Sequence, residues 1–270
     1  MISKIFISIL SLFLFSACAL PRQDPPRDAD EARRVWQRFT ARDNAAETGA
    51  GPFRIAGTLR YTDADGHSTR VSSLLWGNGD PGSPYPLRLD LIAGVGNVVA
   101  KIHETESSFL AYVPDDNTAY VRSRDLYTLL AFGVPIPLTL GDLTLLLTGR
   151  GGALFLSENN GGATALPERH SATEAGFSYV ITQAILPGIL ELSPTGALLS
   201  WREERADGWR IQFEPSTDNP AILRRLRIEH AAGHSALIVI REFERLPEAF
   251  SPGQLALSLP RDATIRELEE

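Results

Sequence analysis

Apolar and polar residues alternate along this chain with two different periods. Between about 30 and 42, Ala32, Val35, Trp36 and Phe39 recur at i, i+3, i+4 and i+7, which predicts a helix with one apolar face, capped by Asp28 or Asp30. From Phe53 the period falls to two. Phe53, Ile55, Leu59 and Tyr61 alternate with Arg54, Thr58, Arg60 and Thr62, as in a strand with one buried and one wet face. Asp63-Ala64-Asp65-Gly66 reads as a turn, and a second strand follows over about 69–76 until Asn78-Gly79-Asp80-Pro81-Gly82 breaks it. Leu87, Leu89 and Leu91 alternate with Arg88 and Asp90. Ala93-Gly94-Val95-Gly96-Asn97 then leads tightly into a strand near 98–104, and two short strands follow near 109–113 and 118–122.

The middle of the chain breaks the pattern. Arg124 to Phe132 reads as a helix, interrupted by Gly133-Val134-Pro135-Ile136-Pro137. A second helix is expected over about 137–148, with Pro137 at its first position and Gly149 just past its end. Leu138, Leu140, Leu143, Leu145, Leu146 and Leu147 make it apolar nearly all round, so it must be buried or face a lipid-like ligand. Its length of about 18 Å is too short to span a bilayer. Residues 149–176 are rich in glycine and polar residues around Leu154-Phe155-Leu156. Alternation resumes at Phe177, Tyr179 and Ile181, then at Leu199 and Trp201, at Trp209, Ile211 and Phe213, at Leu226 and Ile228, and over about 235–246. The count is about eleven strands without an internal repeat. One strongly curved antiparallel sheet with helices against its concave face satisfies this order. A single domain over 30–250 is expected, with 251–270 as a C-terminal tail.

Composition supports a packed body, with 43% hydrophobic and 22% charged residues over 270 positions. The net charge of −7 lacks the basic excess of a nucleic-acid binder. The N-terminus is distinctive. Lys4 precedes an apolar run from Ile5 to Phe15, the length of an export signal. Phe15-Ser16-Ala17-Cys18 then resembles a bacterial lipobox, with Phe15 where Leu is usual. Residues 1–17 are therefore expected to be a lipoprotein signal peptide, Cys18 the lipidated residue, and 18–29 a Pro-containing tether. Cys18 is the only cysteine, so no disulfide can form within the chain. Multiple acyl chains on it would anchor the protein stably. Ala19, rather than Asp, after the cysteine points to the outer membrane.

Catalytic signatures do not emerge, and no enzyme is expected. There is no Gly-x-Ser-x-Gly elbow, and with Cys18 acylated no thiol nucleophile remains. Gly94-Val95-Gly96 joins two strands and lacks the third glycine of a dinucleotide loop. Asp63-Ala64-Asp65-Gly66 lacks the distal Glu of a calcium loop, and His230 and His234 flank a turn with no further zinc ligands to name. Neither a metal nor a cofactor is expected beyond the covalent lipid on Cys18. Arg224, Arg225 and Arg227 read as an outward strand face, or as a surface for anionic lipid or an acidic partner.

Residues 132–149, with Gly133-Val134-Pro135-Ile136-Pro137-Leu138 and a Leu-rich helix closing at Gly149, resemble the central segment of the LolB family. These outer-membrane lipoproteins receive other lipoproteins from the periplasmic carrier LolA and place them in the membrane. Leu87 to Lys101 resembles that family's strand-loop-strand pair, and Trp201 to Phe213, with Asp207-Gly208-Trp209 at the turn, resembles its later hairpin. The resemblance implies a LolA/LolB-like incomplete antiparallel β-barrel, half open and closed by short helices, with a hydrophobic cavity for acyl chains. It also implies that the loop Gly94, Val95, Gly96 enters the membrane. Val95 stands where the family carries a larger Leu, and would bury less apolar area.

The function expected from these features is an outer-membrane-anchored, periplasm-facing lipoprotein. It would bind acyl chains of lipoproteins and insert them into the outer membrane. Its partners would be outer-membrane lipid, a LolA-like carrier and acylated cargo, with the chain itself monomeric. Candidate cavity residues are Phe53, Ile55, Leu59, Trp76, Leu89, Leu91, Trp201, Trp209, Ile211 and Phe213 on strands, and Leu138, Leu143 and Leu147 on the lid. A binding or sensor lipoprotein for another amphiphile or a protein partner is the alternative.

Overall fold

The computed structural model of the protein describes residues 29–48, 50–80, 82–94, 96–123, 127–156, 166–219 and 222–268. The expected signal peptide, Cys18, the tether up to residue 28, Val95 and residues 157–165 lie outside the described residues.

Helix α1 spans Ala29–Thr48, beyond the predicted end at 42. Its apolar stripe is the predicted one: Ala32, Val35, Trp36 and Phe39 are all buried. Six strands follow: β1 (Phe53–Thr62), β2 (Ser68–Gly77), β3 (Leu87–Ala93), β4 (Asn97–Glu104), β5 (Ser108–Val113) and β6 (Thr118–Ser123). Two short helices, α2 (Thr128–Ala131) and α3 (Leu140–Leu147), precede a 3₁₀ turn at Gly151–Leu154. Then come β7 (His170–Ala172), β8 (Phe177–Ile181), β9 (Gly188–Leu192), β10 (Leu198–Arg202), β11 (Trp209–Pro215), β12 (Leu223–His230) and β13 (Ser235–Arg245). Helix α4 (Pro252–Leu255) and β14 (Thr264–Glu267) close the described chain.

All fourteen strands described belong to one sheet, in the order β14-β6-β5-β4-β3-β2-β1-β13-β12-β11-β10-β9-β8-β7. Neighbours are antiparallel, except that β14 runs parallel to β6. The edge strands β14 and β7 do not pair with each other, so the sheet is open. Its two halves join where β1 pairs with β13 from Phe53↔Arg245 to Thr62↔Ser235. A bulge interrupts that pairing at Ala56/Gly57. A Cβ on Gly57 would sit 2.7 Å from the Val239 carbonyl oxygen, so this crossing requires glycine.

Three strands were not expected from the sequence, and each has a physical reason. β7 has three residues, too few to show a period. β9 begins at Gly188 directly after Pro187, so it reads as a turn. β14 is exposed at every position and carries no alternation, being held by backbone pairing to β6. The segment 251–268 is therefore only partly a tail. α4 buries Leu255, and the Arg88 guanidinium donates to the Ala256 carbonyl at 2.9 Å, which fastens the segment to the outer face of β3.

The second central helix also differs. It starts at Leu140, not Pro137, because Thr139 is its N-cap. The Thr139 hydroxyl accepts from the Asp142 amide and the Asp142 carboxylate accepts from the Thr139 amide, a capping box. All eight residues of α3 are buried. No helix among the described residues is long and apolar enough to cross a membrane.

Candidate functional site

The inner face of the sheet is apolar by strand parity. Ile55 and Leu59 of β1, Val71 and Leu75 of β2, Leu89 and Leu91 of β3, and Ala100 and Ile102 of β4 all point to it and are buried. The same parity brings Glu104 inward at the end of β4, where it is fully buried. An ionised carboxylate can only accept hydrogen bonds, and four donors surround this one. Oε1 accepts from the Tyr85 hydroxyl and the Gly141 amide, both at 3.0 Å; Oε2 accepts from the Thr128 hydroxyl and the Leu140 amide, both at 3.1 Å. Glu104 thus ties together the first turn of α3, the start of α2 and the connection before β3. Burial pushes its carboxyl above the usual carboxylate range, while the Gly141 and Leu140 amides, and then the two hydroxyls, pull it back. Gly141 is required here, because a Cβ would collide with the Tyr85 ring and hydroxyl.

Held in this way, α2, α3 and the linker between them lie on the inner face as an apolar plug. Between plug and sheet is a void of about 30 Å³. Its walls are Ile55, Gly57, Leu59, Ser73, Leu75, Leu89, Leu91, Ile238 and Ile240 from β1, β2, β3 and β13, and Leu129, Val134, Ile136, Leu143 and Leu147 from the plug. Ser73 is the one polar side chain among them. Ligand pockets for small molecules run to roughly 300–1,000 Å³. The expected acyl-chain cavity is therefore closed in this structure, its space filled by plug side chains.

The structure brings six expected cavity residues to this void: Ile55, Leu59, Leu89, Leu91, Leu143 and Leu147. Phe53 and Leu138 are buried in the core outside it. Trp201, Trp209, Ile211 and Phe213 face inward on the other half of the sheet. There Trp201 is level with Leu190, and Leu190 with Tyr179. That half is covered by α1: the Tyr179 hydroxyl donates to the Ala32 carbonyl at 2.8 Å, and Trp36 packs 5.1 Å from the Tyr179 ring. The inner face thus has two compartments. One lies under α1, where a more polar void of about 40 Å³ reaches Arg42 and Asp43, and the other holds the apolar void under α2 and α3. Trp76 departs most from expectation. It is on the outer face with the Arg88 guanidinium 5.7 Å over its ring, because it shares parity with Arg54 and Arg88 rather than with Leu75.

Glu104, Tyr85, Thr128 and Gly141 were not picked out by sequence reasoning. The one legible signal was Glu104 in register with Ala100 and Ile102, a carboxylate on an apolar parity. α1 is pinned to the 3₁₀ turn that follows the plug by a similar device: the Asp43 carboxylate accepts from the Gly152 amide at 2.7 Å.

The expected tip loop lies at the end of the β3–β4 hairpin, where Gly94 and Gly96 both have positive φ and open space around them. The Asp63–Gly66 segment is the expected turn. Its Asp63 carboxylate accepts from the His67 amide at 2.9 Å, the main reason it is held below the usual carboxylate range. His230 and His234 flank a tight turn closed by the His230 amide donating to the His234 carbonyl at 2.9 Å.

No family model matches the chain, and no curated protein matches it in sequence. Solved structures do match. A LolA superfamily protein from Nitrosomonas europaea is 9% identical, covering 84% of this chain and 97% of its own, with a TM-score of 0.53. A putative outer membrane lipoprotein-sorting protein domain from Vibrio parahaemolyticus is 11% identical over 84% of this chain and 97% of its own, with a TM-score of 0.48. At these identities the likeness is one of fold: a mainly β, open LolA-like sheet with few helices.

Proposed function

We propose that this protein is a carrier that accommodates acyl chains of lipoproteins between the sheet and the α2–α3 plug, and hands them to the outer membrane. The observation that carries the reading is the plug itself. The inner face of β1–β3 and β13 is covered by a short, wholly apolar helix fixed at its first turn by Glu104, with an apolar void left beneath it. An acyl chain offers the same apolar surface as the plug's leucines and could replace them on the sheet at little net cost in buried area. Transfer then needs no covalent chemistry, only affinities that rise from donor to carrier to bilayer, each tenfold being about 1.4 kcal/mol. The fold shared with a LolA superfamily protein supports a carrier role. LolB-like insertion activity, lipidation of Cys18, an outer-membrane location and a LolA-like donor are parts of this proposal that rest on the sequence resemblance.

Native mass spectrometry of the full-length chain purified from its membrane tests the reading. A mass increment matching an acylated ligand, lost on competition with a long-chain fatty acid, is expected. A correctly folded sample that neither carries such a ligand nor binds an apolar fluorescent probe saturably would refute it.

A further inference from the structure

Cross-strand register sets arginine against arginine on the outer face of the sheet. Arg60 of β1 lies directly opposite Arg70 of β2, and Arg202 of β10 directly opposite Arg210 of β11. All four are exposed, and none has an ion pair or side-chain hydrogen bond among the described residues. The same face pairs other arginines closely, Arg54 with Glu244 and Arg225 with Glu214, each at 2.8 Å. Like charges directly opposite on paired strands destabilise them. The two unpaired couples therefore contribute nothing to the fold that would explain their presence.

Arg227 of β12 stands between the couples. Arg70, Arg60, Leu237, Arg227, Gln212 and Ser200 face one another in a single row across six strands. Five strand spacings make that row about 24 Å long. Three carboxylates lie beside it: Glu229, which faces Arg210 in register and lies 3.5 Å from Arg227; Glu214, paired with Arg225; and Glu191, which accepts from the Ser200 hydroxyl at 3.0 Å at the end of the row. The other neighbours, Thr62, Ser68 and Ser235, are uncharged. In a chain of net charge −7, six arginines (Arg60, Arg70, Arg202, Arg210, Arg225 and Arg227) against the three acids Glu191, Glu214 and Glu229 make a local reversal of sign. The row also runs close to the β3–β4 tip: Ile92, just before Gly94, faces Ser72, two residues from Arg70.

We infer that this outer-face arginine row docks onto the phosphates of anionic phospholipid headgroups. A guanidinium matches a phosphate with two parallel hydrogen bonds. The arginines are spread over a surface instead of converging on a pocket, which suits an array of phosphates and not a single small anion. Half-buried Leu237, between Arg60 and Arg227, adds an apolar contact of the kind a bilayer interface accepts. The inference is independent of the carrier reading, since it concerns how the sheet lies on the bilayer and not what the void holds.

The test is modification of arginines by phenylglyoxal in the full-length chain, quantified residue by residue by mass spectrometry. The chain is presented to vesicles of phosphatidylcholine alone and of an equal mixture with phosphatidylglycerol. On the mixed vesicles Arg60, Arg70, Arg202 and Arg210 are expected to react at least about fivefold more slowly, the gain in partitioning one arginine contributes at an anionic surface. Arg54 serves as internal reference and keeps its rate. Phosphatidylcholine should give no protection, and raised salt should abolish it. Unchanged rates on the mixed vesicles, or equal protection by phosphatidylcholine, would overturn the inference. Protection by soluble polyglutamate that equals or exceeds that by phosphatidylglycerol would overturn it in favour of an acidic protein partner. Arg60→Gln/Arg70→Gln should lower the salt needed to expose Arg202 and Arg210 without lowering the thermal midpoint. A lower midpoint would show that the couple serves the fold instead.

Discussion

Replacing Glu104 by Gln changes one atom's chemistry and keeps the shape, so it isolates what the carboxylate does. Each carboxylate oxygen accepts one backbone amide and one hydroxyl. A glutamine can keep one such pair on its carbonyl oxygen. Its NH₂ group must face the other pair, where the hydroxyl can turn and accept but the backbone amide cannot. One helix-terminal N–H is thus orphaned in the core, at about 1–3 kcal/mol, and the bonds that survive lose their charge assistance. Against this, the neutral amide relieves the burial penalty that holds the Glu104 carboxyl above its usual range. The hydrogen-bond loss should win, leaving a destabilisation of about 2 kcal/mol at neutral pH. The pH dependence has a definite sign. The folded value is raised, so the folded state holds its proton more tightly, and the Glu104 contribution to stability falls as pH rises from the ordinary glutamate value through the raised one. Glu104→Gln should remove that slope. Urea unfolding of the full-length chain across this pH range reads both effects. If the loss falls on the seated plug alone, about 2 kcal/mol raises the population with α3 displaced roughly 30-fold, and the on-rate of an apolar probe rises with it. A stability change below about 0.5 kcal/mol would refute the accounting. A clear destabilisation with an unchanged probe on-rate would show that the plug does not gate the void.

Three further outcomes are expected. Ser73→Val replaces the void's one polar wall residue with two methyl groups, which should raise stability by about 1 kcal/mol and weaken apolar-probe binding; calorimetry and probe titration check it, and tighter probe binding would argue against ligand entry at this void. Cys18→Ala should abolish fatty-acid incorporation in metabolic labelling and release the protein from stable membrane association; labelling equal to that of the parent would exclude Cys18 as the anchor. Val95→Glu should leave the thermal midpoint near that of the parent while slowing delivery of a bound lipoprotein to liposomes by roughly tenfold, the partitioning of one valine side chain; equal delivery rates would remove the tip from the mechanism.

Much of the sheet could be read from side-chain parity, because a strand with one buried face writes its orientation into alternate residues. Phe53, Ile55 and Leu59, Leu87, Leu89 and Leu91, and Trp209, Ile211 and Phe213 are inward as their period requires. The helix face Ala32, Val35, Trp36 and Phe39 was equally legible, since four residues on one stripe can be buried only together. Strands without a wet and a dry face left no such trace, which is why β14 was taken for tail.

What only the tertiary structure decided is which buried residues share a compartment. Alternation says that Leu89 and Trp201 both face inward; it cannot say that α1 covers one half of that face while α2 and α3 cover the other over an apolar void. That depends on strand order, and β1 meets β13 across nearly the whole chain. Nor could local pattern bring together Tyr85, Glu104, Thr128, Leu140 and Gly141. Their partnership is a hydrogen-bond closure between segments far apart in sequence, made necessary because a buried carboxylate and a buried helix start must each satisfy the other. The facing arginines follow the same logic. Each is an ordinary outward residue in its own strand, and becomes a like-charge pair only when register puts Arg60 against Arg70 and Arg202 against Arg210.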